Sequence, residues 1–230
     1  MPAGKPLIVA LDTVDAGRAR GWADAVAPYA GLVKLGLEFF LANGAAGYRT
    51  IIGAPIFLDL KLHDIPNTVA CSVRAVLPLR PRMLTIHASG GAAMIQAAEQ
   101  AAAAAGPDRP MILAVTVLTS LGHADLQATG VAATPADQVL RLGRLALEAG
   151  ADGLVCSPLE VAMLRQALGA SAKLVVPGIR PPGTAAADQS RIMTPAQAIA
   201  AGADWIVVGR PITAAGDPGK AAADIAASIQ

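Results

Sequence analysis

The chemistry this chain could perform is concentrated in residues 56–69, which read IFLDLKLHDIPNTV. The apolar spacing predicts a strand, along which alternate side chains face opposite ways. Leu58, Leu60 and Leu62 then share one face, and Asp59 and Lys61 share the other. Asp64 follows at a helix start, with Pro66 in the first turn, where its missing N–H does no harm. Acids on both sides of Lys61 favour its ammonium form, which suits a positioned proton donor. An imine-forming lysine needs the reverse, a desolvated or cation-flanked amine. Two plainer roles compete with this chemistry. Asp64 could be a helix N-cap, and Asp59 with Lys61 could be a structural ion pair.

These groups need a scaffold, and the rest of the chain supplies the pattern of one. Short apolar runs at 7–11, 32–36, 56–60, 83–87, 112–117, 153–156, 174–177 and 205–208 read as buried parallel strands. Ala- and Leu-rich stretches at 13–29, 37–50, 65–79, 91–105, 135–149, 159–168, 195–201 and 214–229 read as helices between them. This alternation predicts an α/β chain folded as a (β/α)8 TIM barrel. No composition shift divides residues 1–230, so one domain is expected. An open doubly wound sheet is the runner-up. Its dinucleotide variant wants GxGxxG after the first strand, where this chain has LDTVDAG.

In a barrel of this kind the C-terminal strand ends build the site. Asp12, Lys34, Asp59, Lys61, His87, Thr119, Ser157 and Arg180 fall there. Charges at the ends of apolar strands are costly to bury unless paired, and a bland core does not call for so many.

Composition removes several alternatives. Hydrophobic residues make up 54% of the 230, enough for a large core, while aromatic residues are only 3%. A formal net charge of +1 and no basic run argue against nucleic acid or a membrane surface as partner. Cys71 and Cys156, the only cysteines, lack the spacing of a zinc site or a disulfide framework. The apolar stretch in MPAGKPLIVALD is too short for a signal peptide, and no apolar run approaches the roughly 18 residues of a membrane span. A soluble, cytoplasmic protein is expected.

DLKLHDIPNTV resembles the signature of the orotidine 5′-monophosphate decarboxylases. LDTVD, VKLGLEFF, TIHASGG, VTVLTSL, VPGIRPPG and VVGRPIT extend the resemblance, in the family's order, over nearly the whole chain. It implies a cofactor-free, metal-free carboxy-lyase of pyrimidine biosynthesis that converts orotidine 5′-phosphate to uridine 5′-phosphate and CO2. Lys61 is similar to the lysine that protonates C6 as CO2 leaves. Asp59 is similar to the acid set against the substrate carboxylate, which balances Lys61 once that carboxylate is gone. Asp64 resembles the second acid, which reaches across a homodimer interface into the neighbour's site, with Ile65 and Thr68 beside it. Asp12 and Lys34 look like the ribose contacts, Lys34 also linking to the charge array. Thr119 is similar to a hydroxyl that hydrogen-bonds the pyrimidine. The resemblance assigns no chemistry to His63, and His87 is read as structural or ligand-touching.

Barrels commonly bind phosphate between the loops after the seventh and eighth strands. Here GIRPPGTAAADQSR and VVGRPIT occupy those places. Gly209 permits close backbone approach, and the Arg210 guanidinium matches phosphate oxygens. By resemblance Gln189, Gly209 and Arg210 hold the phosphate, with Arg180 at a further ligand position. The segment 181–190 reads either as an ordinary surface loop or as a lid that excludes water. Two other functions compete. Magnesium-dependent 3-keto-L-gulonate 6-phosphate decarboxylase and hexulose-6-phosphate synthase share DxKxxD, but they carry an acidic metal ligand where this chain has Lys34. A non-catalytic nucleotide-binding barrel would have no use for the charge array.

Overall fold

The Val-, Ile- and Leu-rich runs do pair in parallel, each with the next in sequence, and the last returns to the first to close a barrel. The computed structural model describes residues 5–181 and 193–229. The strands are β1 (Leu7–Ala10), β2 (Leu32–Gly36), β3 (Ile56–Leu62), β4 (Met83–His87), β5 (Met111–Val115), β6 (Gly153–Val155), β7 (Lys173–Val176) and β8 (Trp205–Val208). Closure is made by β1 and β8, with Val9 opposite Val208. This is the expected (β/α)8 TIM barrel.

The helices are α1 (Ala16–Val26), α2 (Leu37–Tyr48), α3 (Pro66–Val76), α4 (Ala92–Ala103), α5 (His123–Ala128), α6 (Pro135–Glu148), α7 (Val161–Leu168), α8 (Pro195–Ala200), α9 (Arg210–Thr213) and α10 (Pro218–Ala227). Local capping explains where they differ from the expected ranges. The helix expected from residue 13 begins at Ala16, because the Asp15 carboxylate accepts the Arg18 N–H at 3.0 Å. The helix expected over 214–229 begins only at Pro218, and the short α9 before it, ending at Thr213, was not expected. Asp217 takes the Lys220 N–H at 2.9 Å and starts α10 with Pro218 in its first turn. The six-residue α5 was not expected; HADLQA is too short and polar to show a helical period. No helix among the described residues is long and apolar enough to cross a membrane.

Alternation along the strands separates two cores. Leu7, Val9, Val33, Leu35 and Leu58 point outward and pack against the helices. Ile8, Ala10, Leu32, Phe57, Met83, Leu113, Val175 and Val207 fill the barrel itself. Asp59 follows Phe57 by two residues, so the alternation that buries the phenyl ring places the carboxylate one layer higher, at the mouth. At the opposite end, Asp152 accepts the Ile112 N–H at 2.7 Å and Asp204 the Leu174 N–H at 2.9 Å. Arg109 pairs with Asp152, and Arg165 with Asp204. These bonds tie the strand starts together, a stabilising use of charge away from the mouth.

Candidate active site

The array is organised by a break in the β3–β4 ladder. Leu58 pairs with Leu84, but the next pair is Leu62 with Ile86. Asp59, Leu60 and Lys61 therefore stand opposite one residue of β4, Thr85. Extra residues in a bulge bend a strand and re-aim its side chains. Lys61 takes up the bend in a left-handed conformation, φ 51°, at a cost of roughly 1–2 kcal/mol for a residue other than glycine. Simple alternation, expected to bring Asp59 and Lys61 to one face, is thus not what aims Lys61. The bulge does that.

Its result is a continuous chain of opposite charges. Lys61 Nζ donates to both carboxylate oxygens of Asp59, at 2.8 Å each. Lys34 Nζ lies 3.6 Å from Asp59 Oδ2 and donates to Asp12 Oδ1 at 2.9 Å. Thr85 Oγ1 donates to Asp59 Oδ1 at 2.9 Å and accepts the Lys61 backbone N–H at 2.8 Å. Burial by itself would push the Asp59 carboxyl up, but the neighbouring Lys34 and Lys61 ammoniums and the hydrogen bonds hold it below the usual carboxylate range. For Lys34 burial works downward, and Asp59 and Asp12 more than offset it, so this ammonium is held above its ordinary value. Both groups are charged at neutral pH.

Glycine makes room for this chain. A Cβ on Gly36 would sit 3.1 Å from Lys34 Nζ and 3.2 Å from Asp12 Oδ1. One on Gly209 would sit 3.8 Å from Asp12 Oδ2, which places the β8 loop beside the end of β1.

Above the array is a cavity of about 230 Å³. Lys34, Asp59 and Lys61 form its charged side. Val115, Val117, Leu118 and Pro177 line it with apolar surface, Thr119 adds a hydroxyl, and Phe57 and Val207 rise into it from the barrel core. Cys156 also lines it, but burial pushes this thiol far up, so it stays protonated and is no nucleophile. The space suits a flat ring held between apolar surfaces with one edge turned to the charges.

Of the residues singled out from sequence, Asp12, Lys34, Asp59, Lys61 and Thr119 are brought together within one chain. Asp64 is not joined to them. It is exposed, and its carboxylate accepts the adjacent Ile65 N–H at 2.6 Å. The N-cap of α3 is Ile65, with no side-chain cap bond, so Asp64 is not a helix cap either. Nor is Asp64 needed to neutralise the lysines. Within one chain Asp12 and Asp59 already match Lys34 and Lys61. Ile65, 66% exposed, and Thr68 stand on the same outer surface.

Arg180 is buried, its Nη1 donating to the Ile179 carbonyl at 3.0 Å. Arg210 is exposed and opens α9 directly after Gly209. Gln189 and nearly all of the candidate lid, 181–190, lie outside the described residues. His87 is half-buried, with its ring centroid 5.3 Å from that of exposed His63. Burial, then the proximity of His63 and Lys61, lowers the His87 pKa and favours its neutral form. Neither histidine is among the groups lining the cavity.

Two contributors were missed in the sequence, Thr85 and Gly36. Thr85 had a readable signal: it is the one hydroxyl in MLTIH and shares its face with His87, which ends the strand. Gly36 had none, because the close approach it permits exists only once β1 and β2 are side by side.

Comparison with known proteins agrees with this geometry. Residues 5–225 match the model of the "Orotidine 5'-phosphate decarboxylase / HUMPS family". A Gluconobacter oxydans protein named orotidine 5′-phosphate decarboxylase is 58% identical over 220 residues, 94% of this chain and 93% of its own length. One of the same name from Paramagnetospirillum magneticum is 52% identical, over 97% of this chain and 98% of its own. The crystal structure of orotidine 5′-phosphate decarboxylase from Lactobacillus acidophilus superposes with a TM-score of 0.88 at 38% identity, covering 98% of this chain and 99% of that one. This chain belongs to the orotidine 5′-phosphate decarboxylase / HUMPS family.

Proposed function

We propose that this protein decarboxylates orotidine 5′-monophosphate to uridine 5′-monophosphate and CO2, a step of pyrimidine nucleotide synthesis, as a single-domain, cytoplasmic homodimer without metal or cofactor. The observation that carries the reading is the unbroken chain Asp12–Lys34–Asp59–Lys61 along one side of a largely apolar cavity. The pyrimidine lies against the apolar surface with Thr119 at its polar edge, and Asp12 and Lys34 hold the ribose hydroxyls. The substrate carboxylate is set against Asp59, whose buried negative charge disfavours it there. The bond from C6 to the carboxylate carbon breaks, CO2 leaves, and its electron pair stays on C6. Lys61 gives C6 a proton and regains one from solvent. Asp59 stabilises the array throughout, because it is held ionised. A cytoplasmic location follows from the substrate, since a nucleotide phosphate is too highly charged to cross a bilayer unaided.

The direct test is absorbance. Orotidylate loses its characteristic ultraviolet band on decarboxylation, so the purified protein is expected to bleach it. An unchanged spectrum with proven binding would make the barrel a nucleotide binder. The same assay addresses magnesium. At the second strand, where the sugar-phosphate enzymes place an acidic metal ligand, this chain has the Lys34 ammonium, which repels a divalent cation. Activity is therefore expected to survive EDTA unchanged. Loss to EDTA with recovery on adding magnesium would move the protein to the sugar-phosphate branch.

Phosphate is held by Arg210 and the Gly209 backbone beside the end of β1, with Arg180 and Gln189 completing the grip. Arg210→Ala removes a charge-assisted bond of roughly 1.5–3 kcal/mol, so kcat/KM is expected to fall about 10- to 100-fold. With orotidine, which lacks the phosphate, that loss is expected to shrink sharply. Equal losses on the two substrates would put Arg210 outside the phosphate site.

A further inference from the structure

We infer that Thr85 is a positioning residue for the decarboxylation, its hydroxyl holding both the Asp59 carboxylate and the bulged backbone that aims Lys61. The role rests on the decarboxylase reading above.

Thr85 is wholly buried on β4, with the same inward aspect as Met83 below it. It is the one β4 residue between the pairs Leu58–Leu84 and Leu62–Ile86, where β3 carries three. Regular pairing stops there, so the Lys61 N–H loses the ladder partner it would otherwise have. A buried amide left without an acceptor costs about 1–3 kcal/mol. The Thr85 hydroxyl supplies the acceptor, at 2.8 Å.

The two bonds are coupled by the chemistry of a hydroxyl. It has one proton to give and lone pairs to receive with. The proton goes to Asp59 Oδ1 at 2.9 Å, since the carboxylate can only accept and the Lys61 N–H can only donate. One oxygen therefore ties the backbone of the proton donor to the side chain that binds the donor's ammonium. Lys61 at φ 51° is held in a conformation its own preferences resist, and Thr85 holds it by the amide. Without this brace the strand can relax toward regular pairing, and the angle between ammonium and carboxylate changes with it. A displacement of that kind harms the chemical step more than the binding of substrate.

Three variants test this with orotidylate as substrate. Thr85→Val keeps the shape and removes both bonds. Its kcat is expected to fall roughly 10- to 100-fold, the size of one charge-assisted hydrogen bond, while KM changes less than about threefold. The acid limb of its kcat profile is expected at higher pH, because Asp59 has lost a hydrogen bond to its ionised form. Thr85→Ser keeps the hydroxyl and is expected within about threefold of wild-type kcat, with the acid limb in place. Thr85→Cys, a weaker donor and acceptor, is expected between the two and decides the matter if the valine variant does not fold.

A folded valine variant with wild-type kcat would overturn the inference. So would a serine variant as impaired as valine, or a cysteine variant equal to wild type if valine is unfolded. These outcomes differ from failure of the functional reading, in which wild-type protein itself leaves orotidylate unchanged and both conclusions fall.

Discussion

Lys61→Ala is expected to lower kcat at least about 10⁴-fold, as loss of a proton donor and of a fixed charge would together, while uridylate still binds. Lys61 Nζ holds both Asp59 oxygens at 2.8 Å and stands at the charged side of the cavity. No other ammonium can take over. Lys34 is already committed between Asp12 and Asp59 and belongs to β2, on the far side of the carboxylate. The fold is expected to survive, because Asp59 keeps Lys34 and the Thr85 hydroxyl as partners. The phosphate and ribose contacts proposed above are untouched by the substitution, so product affinity is expected to change little, and the defect to appear in kcat. Measured together, kcat/KM and the Kd of uridylate separate these effects. Retention of a tenth of wild-type kcat/KM would remove Lys61 from the proton-donor role.

The second large effect is a gain of activity from two dead proteins. Asp64 is exposed at the mouth and, among the described residues, makes no ion pair with its own chain. A functional Asp64 must then act somewhere other than on its own Asp59–Lys61 pair. A partner's site is the place proposed here. Exposed Ile65 and Thr68 next to it give the same surface both apolar and polar character, as an interface needs. Lys61→Ala and Asp64→Ala homodimers are each expected to be nearly inactive. In a mixed dimer, one site lacks both groups and the other has a complete set. Random exchange makes half the dimers mixed, so about a quarter of wild-type activity is expected to return. Native mass spectrometry verifies the exchange. If mixed dimers form and activity stays absent, Asp64 does not serve the neighbouring site.

Much of this molecule is readable from local pattern because barrel strands are short, apolar and buried on both faces. Leu32–Gly36, Met83–His87 and Trp205–Val208 stand at the expected bounds, and the count of strands implies closure. The family was legible for a different reason: DLKLHDIPNTV gathers the family's signature into one contiguous run. Helix ends were less legible. A single carboxylate such as Asp15 or Asp217 decides them, and the surrounding alanine-rich sequence tolerates several starts.

Sequence by itself thus determined the barrel, the charged groups at its mouth and the family. It could not determine how those groups meet. Alternation predicted Asp59 and Lys61 on one face, but their contact is made through a ladder break with Lys61 at φ 51°. A register shift belongs to a pair of strands and is not encoded in either one alone. Thr85 gains its meaning only opposite that break, and Gly36 only where Asp12 and Lys34 cross above it. Asp12 balances the lysines only because parallel pairing of β1 with β2 sets the end of β1 beside Lys34. Tertiary structure decided these points because each depends on distances between residues far apart in the chain, which local preference cannot specify.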